Sequence, residues 1–351
     1  MKMVCVSLSV LFCLATARAQ EEMFQPAPEV QKFAGLVGTW EGSGSVMMSP
    51  DGEASEWTSA STYRWVLGGH FLREDTVIRG EGMGEGMAFR GLMGWDRENK
   101  RYISYSLSNM GVLNTTEVHW TADDTMVSVS NSMEGSEPAV DRWVTHLGKG
   151  ALRFTGHRAV GAGEFFLHVQ GEGKRVSTEV KEIPTVQGAF MPEAISGAEE
   201  MKRIGVIAGK YQMKGWVIPA AGADPMQISG SETIEPIYGG TALEVVTVGD
   251  PAPEFPDMTY EGMGWFAWNQ HDQRYDTVFL NSMGELGRGP CWWSGNSTLI
   301  MTMESLYQGQ PMVGNYIMEL GEGGRLKSSF GHSIMGDSEP QKTFEATYIA
   351  K

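Results

Sequence analysis

The sequence predicts an all-β protein with antiparallel strand pairing, built from one unit written twice. Turn-rich segments punctuate the chain at short intervals, helped by 45 glycines, and no long stretch has helical periodicity. Strands that follow one another through short loops pair antiparallel, because parallel pairing needs crossover helices that this pattern lacks. The repeat is explicit in residues 91–113: Trp95, Arg101-Tyr102 and Met110-Gly111 recur as Trp268, Arg274-Tyr275 and Met283-Gly284, each 173 positions on. Many short strands at regular spacing leave two architectures, sandwich or barrel.

The chain opens with a pattern expected of an export signal. Lys2 supplies a basic start, Val4–Ala15 an apolar run, and Ala17-Arg18-Ala19 a cleavage site of small residues. The mature chain is then expected to begin at Gln20 and to work in the periplasm or outside the cell. The run is too short to span a bilayer, and no later stretch is apolar enough to do so. Cys5 and Cys13 leave with the signal, so Cys291 alone remains and no intramolecular disulfide is expected. Net charge is −16, with the acid scattered rather than blocked. That balance, with no basic run, excludes nucleic acid as an expected partner and fits a solvated surface. The oligomeric state is not legible.

After the signal, each unit begins with a short helix, Glu29–Leu36 in the first and Ala198–Ile207 in the second. Roughly ten candidate strands follow in the first unit, near residues 39–47, 57–66, 70–78, 88–95, 101–107, 114–120, 125–131, 139–146, 151–157 and 164–170. Residues 91–113 read as a hairpin: Asp96 to Lys100 form its turn, and Ile103, Tyr105 and Leu107 alternate with Ser104, Ser106 and Ser108 as in a half-buried strand. Gly38, Gly68-Gly69 and Thr76-Val77 recur 171 positions on; Trp120, Thr125 and Pro138 recur at 173; Gly156-His157 recurs at 175. The first change of spacing falls between Arg79–Met87, rich in glycine, and Gly249–Met258, rich in proline. The expected organisation is a signal at 1–19, a first barrel at 20–173, a Pro-bearing connector at 174–197 and a second, diverged barrel at 198–351.

The choice of barrel over sandwich rests on a resemblance. Leu36-Val37-Gly38-Thr39-Trp40, Arg64-Trp65-Val66-Leu67-Gly68-Gly69, Gly94-Trp95-Asp96 with Lys100-Arg101-Tyr102, and Met110 resemble the lipocalin-like family of domain of unknown function 1579, within the calycin superfamily. The resemblance covers roughly 30–173 and, more weakly, 200–351. It implies antiparallel up-and-down β-barrels, each plugged by a short helix, with Trp40 closing the first and Tyr211 standing in its place in the second. It implies no reaction.

Catalytic signatures such as G-x-S-x-G, H-E-x-x-H or a P-loop are missing from the sequence. The sequence therefore reads as a binder of a small apolar or amphipathic molecule, held in the first barrel, which keeps the family-like residues. Aromatic side chains with a few polar groups are what such a pocket needs, and the candidates are Arg64, Trp65, Trp95, Tyr105, Trp120 and His157. No catalytic residue, metal ligand set or cofactor is assigned. One alternative is a haem-binding or enzymatic barrel using His157, because Gly38–Gly44 is also similar to the opening of nitrobindin-type haem barrels. The methionines, 23 in all, suit a core or an adaptable pocket better than a Cu(I) site. A second alternative is a scaffold with filled barrels.

Overall fold

The computed structural model describes residues 25–134, 136–183, 186–190, 197–218, 224–251, 259–307, 310–335 and 339–351. The expected export signal lies outside the described residues, as do residues 191–196 of the connector and 252–258 of the proline-rich loop. The first set of strands is β1 (Gly38–Val46), β2 (Ser55–Val66), β3 (Phe71–Gly80), β4 (Met87–Asp96), β5 (Arg101–Ser108), β6 (Leu113–Ala122), β7 (Thr125–Glu134), β8 (Glu137–Gly148), β9 (Ala151–Val160) and β10 (Phe166–Ser177). The second set is β11 (Gly209–Val217), β12 (Met226–Ile237), β13 (Ala242–Gly249), β14 (Glu261–Asn269), β15 (Arg274–Asn281), β16 (Leu286–Ser294), β17 (Thr298–Tyr307), β18 (Gln310–Leu320), β19 (Leu326–Met335) and β20 (Gln341–Ala350). Within each set every strand pairs with its sequence neighbours and the first pairs with the last, giving two closed up-and-down barrels. All pairings are antiparallel; Trp40 lies opposite Ser61 and Arg175 where the first barrel closes, and Tyr211 opposite Glu232 and Ala350 in the second.

A short helix plugs one end of each barrel. Pro28–Leu36 is a 3₁₀ helix started by a proline, which needs no hydrogen-bond donor at that position. Its buried residues Val30, Phe33 and Leu36 stand three apart, so they eclipse on one face and enter the barrel together. Phe33 meets Tyr102 edge-on at 5.5 Å and Trp120 at 6.0 Å. The Trp40 indole, buried below it, donates to the Leu36 carbonyl at 2.6 Å. The second plug is helix α1 (Ala198–Ile204), continued by a 3₁₀ turn at Gly205–Ile207. It buries Met201, Ile204 and Ile207, again three apart, and the Tyr211 hydroxyl donates to the Ile207 carbonyl at 2.8 Å. A phenol thus serves in the second barrel where an indole serves in the first.

The backbone repeats its exceptions as well as its strands. Leu67 and Tyr238 have φ of 52° and 53°, and Lys100 and Gln273 have 51° and 52°. These are left-handed conformations that cost a side-chain-bearing residue about 1–2 kcal/mol. Leu67 and Tyr238 are both buried at the corner before a Gly-Gly pair, which offsets the strain.

The barrels pack side by side through the outer faces of β3–β5 and β13–β15, and one apolar cluster spans the seam. Leu67, Phe71, Leu92 and Tyr105 from the first barrel meet Tyr238, Trp265, Val278 and Leu280 from the second. Ile103, Tyr105 and Leu107 do alternate with serines as the sequence suggests, but their apolar face looks outward into this seam. Tyr102, packed with the plug, marks the inward parity, which Ser104, Ser106 and Ser108 share. Two glycines bring the backbones close: a Cβ on Gly111 would lie 3.1 Å from the Thr241 carbonyl, and one on Gly284 would lie 2.7 Å from the His70 ring.

A charged network lies in the same seam. Glu244 accepts from Arg90 at 2.8 Å and from the Trp265 indole at 3.2 Å, with Arg73 at 3.5 Å. Asp75 takes Arg73 and Arg90, both at 2.9 Å. Burial alone would raise the Asp75 pKa; the two guanidinium groups outweigh it and hold the carboxyl below its ordinary value. The described part of the connector is packed rather than loose. Lys174–Ser177 belong to β10, paired with β1, so it begins later than the sequence suggests. Val186 is buried in the seam, and the Asn109 carbonyl accepts from the Phe190 amide at 3.0 Å.

Candidate functional site

The large cavity belongs mainly to the second barrel, not the first. Its volume of about 1680 Å³ joins two spaces: the second barrel's interior, from Met226 inward to Ile234, Val245 and Met318, and a groove outside it at the seam, lined by outward-facing Trp265, Val278 and Arg274 and by Asp96, Arg101, Tyr105 and Leu113 of the first barrel. Strand alternation explains the lining: on β12 the inward positions are Met226, Ile228, Gly230, Glu232 and Ile234, and on β13 they are Leu243, Val245, Thr247 and Gly249. Methionines from several strands, Met213, Met226, Met301, Met303, Met312 and Met318, share this wall with Phe266, Phe279 and Phe344. Thioethers and aromatic rings give a soft surface that adapts to irregular apolar ligands.

Several acids line the cavity, Asp250, Asp276, Glu285 and Glu304 among them, and Glu232 is the one buried on the inward face of β12. Glu232 is 8% exposed and faces the cavity. Its Oε2 accepts from Thr247 Oγ1 at 3.1 Å, directly across the strand pair. Burial pushes its pKa up to about 7, the Thr247 hydrogen bond opposing. Beside it a hydroxyl cluster joins Ser329 to Tyr348 at 2.9 Å and Tyr316 to Ser329 at 3.0 Å. The pKa of both phenols is raised by burial first and by the Glu232 charge in addition.

The corresponding place in the first barrel is arranged differently. Ser61 and Thr76, each 171 positions before Glu232 and Thr247, hydrogen-bond one another at 2.8 Å. The acid is Glu74, whose Oε1 accepts from Thr76 at 2.7 Å and from Tyr63 at 3.0 Å. Burial raises its pKa, and these two donors oppose the rise. Elsewhere in that barrel Arg158 grips Asp141 through two bonds of 2.7 and 3.0 Å, and Trp57 stacks on Phe154 at 5.7 Å.

The residues singled out from the sequence do not meet at one site. Trp65, Trp95 and Trp120 point into the first barrel, at its plugged end. Trp65 and Trp120 pack against the cluster of Phe33 and Leu72, and Trp95 meets Tyr102 at 4.7 Å. Arg64 lies on the outer face, 3.2 Å from Asp75. Tyr105 also faces outward; its hydroxyl is buried without a hydrogen-bond partner, and it is the one member of the set on the large cavity. His157 follows the parity of exposed Arg153, opposite to Phe154, so its ring lies on the outer face of β9. A histidine there does not fit the haem alternative, which needs a ligand inside the lumen. Among the described residues no three His, Cys, Asp or Glu side chains gather to hold a metal. The sequence reading missed Glu232, although it shares the inward face of Ile228 and Ile234.

Residues 25–146 match a family described as "Protein of unknown function (DUF1579)". No curated protein matches the chain. Among solved structures, Rv2717c from M. tuberculosis is similar at 15% identity, over 43% of this chain and 99% of that one, with a TM-score of 0.35. A protein of unknown function from the DUF3598 family of Nostoc punctiforme is similar at 13% identity, over 93% of this chain and 100% of that one, with a TM-score of 0.27.

Proposed function

We propose, for a chain whose residues 25–146 match a family of unknown function, that it is an exported, lipocalin-like binding protein made of two tandem copies of one barrel. Its ligand is a small apolar or amphipathic molecule, held without being transformed. The second barrel carries the ligand, and the first acts mainly through the seam that braces it. The supporting observation is the inner part of the cavity, walled by methionines and aromatic rings of the second barrel. A cavity so lined favours apolar guests because their transfer from water gains about 25 cal/mol per Å² buried. The second barrel is preferred over the first because β5 turns its serines, not its apolar stripe, to the first lumen. Native mass spectrometry of the purified chain tests the reading. A small molecule should co-purify and be displaced by an excess of a fluorescent apolar probe. The same displacement should be lost when the lumen is filled by Met301→Trp. A chain that carries no small molecule and binds no apolar probe would refute the proposal.

A further inference from the structure

The cavity holds one feature that an apolar container does not need. Glu232 is more than nine-tenths buried on its wall and, among the described residues, accepts a single hydrogen bond, from Thr247. An ionised carboxylate offers about four acceptor sites, so most of its capacity is turned to the lumen. No ion pair to Glu232 exists among the described residues. Lys214, Arg274 and Arg288 also line the cavity, but none lies within ion-pair distance of it, and Arg274 is engaged by Asp272 at 2.8 Å and Asp276 at 3.0 Å. The groups within electrostatic reach of Glu232 are Thr247 on β13, Tyr316 on β18, Tyr348 on β20 with Ser329 of β19 bonded to it, Tyr211 on β11, and Tyr260, which also feels Glu285. Those that touch Glu232 or its hydroxyl cluster are neutral, and their hydroxyl oxygens can accept as well as donate.

Resting on the binding reading above, we infer that the second-barrel lumen selects an amphiphile with one amine head, its ammonium seated on Glu232 and its apolar tail lying along the methionine wall. A buried carboxylate without a cation is costly, and supplying one restores its charge. The hydroxyls of Tyr316, Ser329 and Tyr348 offer acceptors for the remaining ammonium protons. A fatty acid is disfavoured, since its carboxylate would face a second one in an apolar chamber. The first barrel lacks this vacancy, because Tyr63 and Thr76 already donate to Glu74.

Because Glu232 has a pKa near 7, amine binding at neutral pH draws the carboxyl to its ionised form and releases part of a proton. Titration calorimetry of the whole mature protein with decylamine, decanol and decanoate separates the possibilities. Decylamine should bind about tenfold or more tighter than decanol, the gain typical of a charge-assisted hydrogen bond, and decanoate should bind more weakly than either. The observed heat of amine binding should differ between buffers of different ionisation enthalpy by an amount that reports proton release, a readout on the unmutated chain. Glu232→Gln, its fold checked by its melt, should bring decylamine level with decanol. Equal affinity for amine and alcohol, or an amine preference that survives Glu232→Gln, would overturn the inference and leave the apolar binding reading standing. Binding of none of the three would remove the binding reading itself.

Discussion

Trp265 offers a direct measure of how far the two barrels depend on one another. Its side chain is 0% exposed although it points out of its own barrel, so the first barrel supplies the far side of its burial. Truncating a buried aromatic to alanine costs about 3–5 kcal/mol. The indole also donates to Glu244 at 3.2 Å, but Glu244 keeps Arg90 and Arg73, so losing that bond adds little. Trp265→Ala should therefore destabilise the full chain by about 4 kcal/mol, read by urea unfolding, and lower its Tm by about 6 °C. In a chain of residues 198–351 alone the same indole faces water, and the substitution should cost no more than about 0.5 kcal/mol. An equal loss in both chains would mean that Trp265 is buried by its own barrel. No loss in the full chain would mean that the seam contributes nothing to stability.

Other expectations follow from single groups. Tyr211→Phe removes the hydroxyl bond to Ile207 and should cost about 1 kcal/mol in thermal unfolding, while Trp40→Ala, which empties the first plug, should cost about 3–5 kcal/mol. Cys291 is fully buried, and burial raises its thiol pKa far above the ordinary value, so a thiol reagent at mildly alkaline pH should label it only after unfolding. Glu232 binds its proton more tightly in the folded than in the unfolded chain, so its folded pKa lies above the unfolded one. The contribution is full below about pH 4.5 and is lost as pH rises through about 7, a total of about 3 kcal/mol. Glu232→Gln should remove that part of the pH dependence, measured as unfolding free energy between about pH 5 and pH 8.

Strand positions were largely legible because a barrel strand declares itself locally, by alternation and by the turn residues that end it. The closing roles suggested for Trp40 and Tyr211 came from resemblance and spacing. The structure adds what spacing could not supply, the hydrogen bond each makes to the end of its helix. What alternation cannot say is which partner covers the apolar face. Alternation marks Ile103, Tyr105 and Leu107 as one apolar face and makes Tyr105 a pocket candidate of the first barrel, whereas a neighbour 130 or more residues away in sequence covers that face. The same ambiguity put Arg64 in a pocket when it lies by Asp75 on the outside. Glu232 was legible in principle, as a charged residue in register with Ile228 and Ile234, but nothing local marks a lumen as hollow.

The contacts across the seam come in reciprocal pairs. Gly111 approaches Thr241, and Gly284 approaches His70. His70 and Thr241 are 171 positions apart and Gly111 and Gly284 are 173 apart, so each contact is the other with its partners exchanged. That is the signature of an isologous interface, one surface patch meeting itself about a local two-fold axis. A single barrel carrying this face would pair with a second copy, and both lumens would then be identical by symmetry. Joining the two in one chain keeps the pairing, since the tether supplies a high effective concentration, and releases the halves from sameness. One lumen can engage its acid, Glu74, with two hydroxyl donors while the other leaves Glu232 with Thr247 alone and its open side toward the cavity. The asymmetry of the interiors is thus allowed by the symmetry of the surface that joins them.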